Sequence, residues 1–377
     1  MSTTARTERY DLVVALNYYA PYVSGVTEAA RVVAEGLVAR GWRVLVVAGH
    51  HDPSVPARER LNGVEVVRTK VRARAGKGII SPSFIPTVAR AAREARAVHL
   101  HLPMLEAGPL LLACRRTPAL VTYQCDVSLP PGAVNRAQVM ALDRSHRLAL
   151  KRAVAVAVSS ADYAESSRLW PDMAGRTIVI PPPCQQRDGG IPSFRRGPGL
   201  HVGFLGRIVE EKGLQYLVDG FRALSDPGAR LVIGGEFDKV AGGSVIESVR
   251  RHIGEDPRID LLGFLPDTAL ADFFASLDVF VLPSVNSLEA FGIVQAEAMM
   301  AGVPVIASDR PGVRTPVRAT GFGIIVRPQD PGAITAALEA LPNAGLDRER
   351  GAMDARRLYS AETVIDQYQE ELERVMR

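Results

Sequence analysis

Apolar positions along this chain fall into short unbroken runs separated by longer stretches where they recur every three or four residues. Asp11–Leu16 and Val44–Ala48 are runs of the first kind and predict buried strands, while Val26–Gly41 between them has helical spacing and stops at a glycine. Ala97–Leu102, Ala119–Tyr123, Val154–Ser159 and Thr177–Ile180 predict further strands. A βαβ rhythm of this kind predicts α/β architecture built on a doubly wound parallel sheet.

Pro181-Pro182-Pro183 then stops any helix or central strand, and a polar Gly/Pro-rich stretch runs to Gly199. A second series follows at Leu200–Leu205, Leu231–Gly234, Ile259–Leu262, Val279–Leu282, Val303–Ala307 and Gly323–Val326. The last segment, Ala361–Met376, is a polar helix with apolar positions at Val364, Ile365, Tyr368 and Leu372. The expected organisation is a Rossmann-like domain over residues 1–184, a linker over 185–199 and a second Rossmann-like domain over 200–358, with a cleft between the domains.

Composition narrows the class. The 377 residues exceed one ordinary core, and 47% hydrophobic with 23% charged residues fits a soluble globular protein. Cys114, Cys125 and Cys184 are too few and too scattered for a disulfide framework or a zinc site, so a reducing cytoplasm is the expected compartment. The N-terminus lacks a basic-then-apolar signal pattern, and no apolar run approaches the ~18 residues needed to span a bilayer.

Two short stretches of the second half carry the chemistry. Strand Leu200–Leu205 runs into Gly206-Arg207, and a helix pattern starts near Gly213, just after Lys212. A helix start beyond a strand's carboxyl end offers backbone N–H groups and a positive dipole end. Arg207 adds a bidentate fork and Lys212 a point charge, which suits a diphosphate. A surface turn whose cations pair with Glu210 and Glu211 is the competing reading. Further on, Glu289 and Glu297 flank Ala290-Phe291-Gly292-Ile293. A helix beginning near Phe291 and running to Gly302 places the two acids a little over two turns apart, roughly on one face. Carboxylates accept from paired hydroxyls, and glycine lets a ligand approach the backbone.

In this order, about eighty residues apart, the two stretches resemble the family 4 retaining glycosyltransferases of the GT-B fold. Ser24-Gly25 resembles the family's opening glycine loop, Leu262-Gly263-Phe264-Leu265-Pro266 the loop bordering the nucleotide base, and Gly302–Ser308 the usual continuation after the second glutamate. The resemblance implies that Arg207 and Lys212 hold a donor diphosphate. It implies that Glu289 and the backbone at Ala290, Phe291, Gly292 and Ile293 hold the donor sugar, and that Glu297 holds the ribose. Gly25 and Leu265 join the donor site on the same ground, and the C-terminal helix, 359–377, crosses back onto the first domain. The donor class is a UDP- or GDP-sugar. No Asp-x-Asp occurs in the chain, which argues against the metal-dependent alternative fold, so no metal and no cofactor is expected.

Gln124 stands where many members of that family carry histidine, so an acid–base role there is in doubt, and a non-catalytic sugar-nucleotide-binding relative is the alternative it raises. Gln124, Glu289, Arg207 and Lys212 form the candidate catalytic group. His101 and Asp126, at or just beyond strand ends, are the candidate acceptor contacts. Arg68, Lys70, Arg72, Arg74, Lys77, Arg90, Arg93 and Arg96 cluster with a single acid, Glu94. A solvated face explains such a block. The sharper reading is an anionic partner: a phosphorylated or lipid-linked acceptor, or a peripheral contact with the inner membrane face. Nucleic acid is not expected, since no aromatic interleaving accompanies the charge.

Overall fold

Twelve of the sixteen strands among the described residues lie where the apolar runs are. In the computed structural model, which describes residues 9–75, 78–237 and 243–377, α1 (Gly25–Ala39) connects β1 (Tyr10–Ala15) to β2 (Val44–His50). Ser24 caps α1 reciprocally with Thr27: the Thr27 N–H donates to the Ser24 hydroxyl at 3.2 Å, and the Ser24 N–H donates to Thr27 Oγ1 at 2.8 Å. β3 (Arg58–Leu61), β4 (Val64–Lys70), β5 (Ala73–Ala75) and β6 (Gly78–Ile80) follow, then α2 (Phe84–Ala92), β7 (Ala95–Leu102), α3 (Ala107–Ala113) and β8 (Ala119–Tyr123). The series continues with α4 (Ala133–Arg152), β9 (Ala155–Val158), α5 (Ala161–Ser166), α6 (Trp170–Met173) and β10 (Thr177–Val179). One sheet has the order β10-β9-β8-β7-β1-β2-β4-β3, parallel except for the antiparallel edge strand β3. Winding reverses between β1 and β7.

The second series is wholly parallel. β11 (His201–Leu205), α7 (Leu214–Arg222), β12 (Arg230–Gly234), α8 (Ile246–Ile253), β13 (Ile259–Gly263), α9 (Leu270–Ala275) and β14 (Val279–Leu282) lead into α10 (Ile293–Met300). β15 (Val305–Ser308), α11 (Thr315–Thr320), β16 (Gly323–Val326), α12 (Pro331–Ala340), α13 (Arg348–Tyr359) and α14 (Ala361–Val375) complete the chain. The sheet order is β13-β12-β11-β14-β15-β16, with the reversal at β11 and β14.

The backbone divides into two units, one formed by Met1–Pro183 with Ala361–Arg377 and the other by Cys184–Ser360. In the first unit, Val364, Ile365, Tyr368 and Leu372 of α14 join the core made by α1 and the sheet. A Cβ at Gly36 would overlap Ile365, so only glycine lets the two helices approach this closely. The stretch expected to be a linker packs as part of the second unit. The Ile191 N–H donates to Asp272 at 2.9 Å, Arg195 pairs with Asp278 at 3.0 Å, and the Phe194 ring meets Phe273 edge-on. The prolines do end the preceding strand, but the polar stretch carries its own anchors, which local composition conceals. The expected first domain begins on residues 1–8, which lie outside the described residues.

Candidate functional site

Two loops at the reversal point of the second sheet build the site. β11 and β14 are hydrogen-bonded neighbours, with Val202 opposite Val279 and Gly203 opposite Phe280. Their carboxyl ends therefore deliver Gly206-Arg207 and the loop after Leu282 side by side, where open α/β sheets hold ligands. The Val285 N–H donates to Glu211 O at 2.9 Å and ties the loops together. Residues Glu210–Lys212 form a single 3₁₀ turn, and Gly213 is left-handed (φ +64°) before α7 begins.

Lys212 and Glu289, 77 positions apart in sequence, meet here as an ion pair. Their side chains retain only 12% and 15% of their exposure. The Lys212 ammonium also passes beside Gly206. Arg207 is different: it is 47% exposed and reaches Glu211 at 3.3 Å. The structure thus pairs directly two stretches far apart in sequence, with Lys212 largely buried against Glu289 and Arg207 nearly half exposed beside Glu211.

The helix expected near Phe291 begins at Ile293, with Gly292 as its left-handed cap (φ +82°). A Cβ on Gly292 would overlap Leu282, so the turn needs glycine. Phe291 is buried edge-on against Tyr359 at 5.3 Å. The Gln295 amide donates to Phe291 O and to Val313 O and fixes the loop. Ala290 sits half-buried between Glu289 and this turn, and Leu265 lies over Gly234 at the end of β12.

Glu297, on the same short helix as Ile293, faces a different set of partners from Glu289. It is buried, accepts a hydrogen bond from the Gln185 N–H at 3.2 Å, and lies 3.7 Å from Arg187, which also pairs with Asp267 at 2.7 Å. Burial outweighs the Arg187 charge and pushes the Glu297 carboxyl up to about 6. Sequence reading missed Gln185 and Arg187, because nothing in a Gly/Pro-rich stretch marks a partner for an acid more than a hundred residues away. Ser284 was missed as well. It is buried at the end of β14, and its hydroxyl has no hydrogen-bond partner among the described residues.

Four candidates belong to the first unit. Gly25 is exposed at the first turn of α1, beside the Ser24 cap, and Gln124 is half-buried directly after β8. The other two differ from expectation. His101 is buried, with both ring nitrogens lacking a hydrogen-bond partner among the described residues, and its ring lies 4.2 Å from that of His99. Burial pushes it down to about 3, so it is a neutral interior side chain and not a surface acceptor contact. His99 bonds Thr122 at 2.7 Å, which in turn meets Tyr368 of α14 at 3.1 Å. Asp126 accepts from the Tyr123 hydroxyl at 2.6 Å and the Ser167 hydroxyl at 3.1 Å, and lies 3.3 Å from Arg168. Its carboxylate is engaged in holding the end of β8.

The basic stretch also divides. Arg68 is buried, donating to Ala20 O at 2.6 Å and Pro56 O at 2.8 Å and pairing with Glu59, so it belongs to no solvated face. Arg96 lies 3.8 Å from Asp11, and Arg74 donates to His51 O at 2.7 Å. Lys77 lies outside the described residues.

Two Rossmann-like units, with cations and carboxylates gathered at a strand-order reversal, define a glycosyltransferase architecture of the GT-B type. A sucrose-phosphate synthase from Thermosynechococcus elongatus shares this fold, with a TM-score of 0.79 at 21% identity over 97% of this chain and 99% of that one. Residues 24–183 match the family model described as a glycosyl transferase 4-like domain, and residues 199–343 match glycosyl transferases group 1. The 2-deoxystreptamine N-acetyl-D-glucosaminyltransferase of Streptomyces fradiae is 30% identical over 71% of this chain and 68% of its own. The GDP-mannose-dependent alpha-mannosyltransferase of Mycolicibacterium smegmatis is 28% identical over 92% and 91%. The chain belongs to this family of glycosyltransferases. It spans only 37% and 58% of the length of other curated relatives. No helix among the described residues is long and apolar enough to cross a membrane.

Proposed function

We propose that this chain is a metal-independent, retaining glycosyltransferase that moves a sugar from a nucleoside diphosphate donor of the UDP or GDP class to a hydroxyl acceptor. The observation that carries the reading is the Lys212–Glu289 pair at the ends of two adjacent parallel strands, with Arg207 beside it. A diphosphate placed there is met by two cations, while Glu289 is presented to hydroxyls. The mycobacterial relative's name specifies a GDP-mannose donor, which supports the donor class.

In the reaction, the bond from the anomeric carbon to the leaving phosphate oxygen breaks. The acceptor oxygen bonds to that carbon from the same face, and its proton passes to the leaving phosphate. Arg207 and Lys212 stabilise the charge developing on the diphosphate, taking the role a metal plays elsewhere. Glu289 orients the sugar from its ion pair, and Glu297 receives the ribose hydroxyls in place of the Gln185 N–H. Gln124 orients the sugar without shuttling a proton. No protein nucleophile is required. Three cysteines, too few and too scattered for a disulfide framework, favour a reducing cytoplasm as the site of action.

The test is incubation with a panel of UDP- and GDP-sugars and hydroxyl acceptors, with and without chelator. The expected result is chelator-insensitive release of nucleoside diphosphate and a product with the donor's anomeric configuration by NMR. Failure of every nucleoside diphosphate to bind in calorimetry refutes the donor site. Chelator-sensitive turnover refutes metal independence, and an inverted product refutes retention.

A further inference from the structure

We infer that the amino-terminal half of α4 and the loop before it form a docking surface for an anionic lipid bilayer. It uses none of the residues assigned to the donor, although its loop follows Gln124 by five positions. α4 packs on α3 through its second half, where Ser145, His146, Ala149 and Leu150 are buried and the Gly108 N–H donates to the Ser145 hydroxyl at 2.9 Å. Its first half has no such cover. Val134 is 71% exposed and Met140 65%, and Leu129 in the preceding Leu129-Pro130-Pro131-Gly132 loop is exposed as well. Leu129 and Met140 line one cavity, and exposed large apolar side chains brought together in this way mark an interaction site. A cavity of about 340 Å³ opens between the loop and the helix, lined in part by Val127, Pro131, Val139 and Met140.

Charge decides which partner fits. The helix carries five basic residues, Arg136, Arg144, Arg147, Lys151 and Arg152, against one acid, Asp143. Asp143 is buried and held by Arg168 at 2.7 Å, so it does not offset the outer face. Arg136, Met140, Arg144, Arg147 and Lys151 follow one another at spacings of four, four, three and four residues, which places them on a single helix face. Arg147 and Lys151 share Asp172, at 3.3 and 3.1 Å. Arg136 and Arg144 are exposed and form no ion pair among the described residues. A basic helix face ending in an exposed apolar tip suits the boundary between anionic headgroups and acyl chains. There the arginines meet phosphate, and Leu129, Val134 and Met140 leave water. An acidic protein surface would satisfy the arginines but not the apolar tip. The stretch from Arg68 to Arg96 is a poorer candidate, because Arg68 is buried and Arg96 faces Asp11.

The test is co-sedimentation of the full chain with vesicles of phosphatidylcholine alone or mixed with phosphatidylglycerol. Binding is expected only to the acidic vesicles, and it should fall in about 0.5 M salt. Arg136→Gln with Arg144→Gln should lower the partition coefficient about twenty-five-fold, about fivefold for each charge removed. Val134→Asp with Met140→Asp should lower it by roughly tenfold or more. All four positions are exposed, so far-UV circular dichroism and the melting temperature should match the parent. Arg72→Gln with Arg74→Gln, on another exposed segment, should bind as the parent does. The inference is overturned if the parent does not sediment with acidic vesicles, or if both α4 pairs bind as the parent does. It is also overturned if light scattering shows a dimer that the aspartate pair dissociates without any vesicle binding, since the tip would then be covering a second copy. None of these results bears on nucleoside diphosphate affinity, which reports separately on the donor site.

Discussion

Replacing Lys212 by methionine tests the centre of the site. The substitution keeps the length and most of the apolar stem but leaves Glu289 without its cation. Both side chains are largely buried, at 12% and 15% exposure, so the orphaned carboxylate keeps little hydration. Breaking a buried pair by removing one partner costs ~3–5 kcal/mol, and the residual exposure places this case near the low end, at about 3 kcal/mol. Lys212→Met should therefore lower the urea midpoint clearly. Glu289→Gln should cost less, since a lone lysine can extend towards solvent, and the double variant should recover part of the loss. Arg207→Ala supplies the contrast. Its pair with Glu211 is nearly half exposed and screened, so stability should change by less than about 1 kcal/mol. Both cation variants should nonetheless weaken nucleoside diphosphate binding by ~1.5–3 kcal/mol, the value of a charge-assisted contact. Urea titration and calorimetry on the same preparations separate the two effects. If Lys212→Met unfolds with the parent, the ion pair contributes nothing. If neither variant loses affinity, the phosphate assignment is wrong.

Two further outcomes follow from single residues. Gln124→Ala should lower turnover by ~1–2 kcal/mol in activation free energy, with Gln124→His tolerated across a pH series. A loss beyond about ten-thousandfold, with donor binding preserved, would instead require direct participation in the chemistry. Glu297 gives a pH signature. Its folded-state value is raised from 4.5 to about 6, chiefly by burial, so the stabilisation is full below its unfolded value and is lost as pH rises through about 6. Stability should fall by about 2 kcal/mol across that window, and Glu297→Gln should flatten the profile. An unchanged slope in the variant would show that another group titrates there.

The order of elements was legible from the chain alone, because a strand buried on both faces must be a continuous apolar run and a covering helix must repeat every three to four residues. β8, β14 and β16 fall within the limits that pattern gave, and the turns at Gly206, Gly213 and Gly292 lie beside the predicted strand and helix ends. β3, β4, β5 and β6 escaped notice: β4 alternates apolar and polar residues instead of forming an unbroken apolar run, and the other three are short pieces whose pairing supplies what their composition lacks. The residue types of the donor site were likewise legible, since a diphosphate calls for cations beyond a strand and a sugar calls for carboxylates.

Only the tertiary structure decided how those charges are used. A lysine in a turn and a glutamate 77 residues later become an ion pair because β11 and β14 are neighbours in the sheet, and strand order is a property of the whole fold. Glu297 finds Arg187 and Gln185, Arg68 sinks beside Glu59, and Asp126 is enclosed by Tyr123, Ser167 and Arg168. A charged residue reads the same in sequence whether it faces water or an opposite charge. Burial makes the difference, because the cost of removing a charge from water is met only by a partner that folding brings to it.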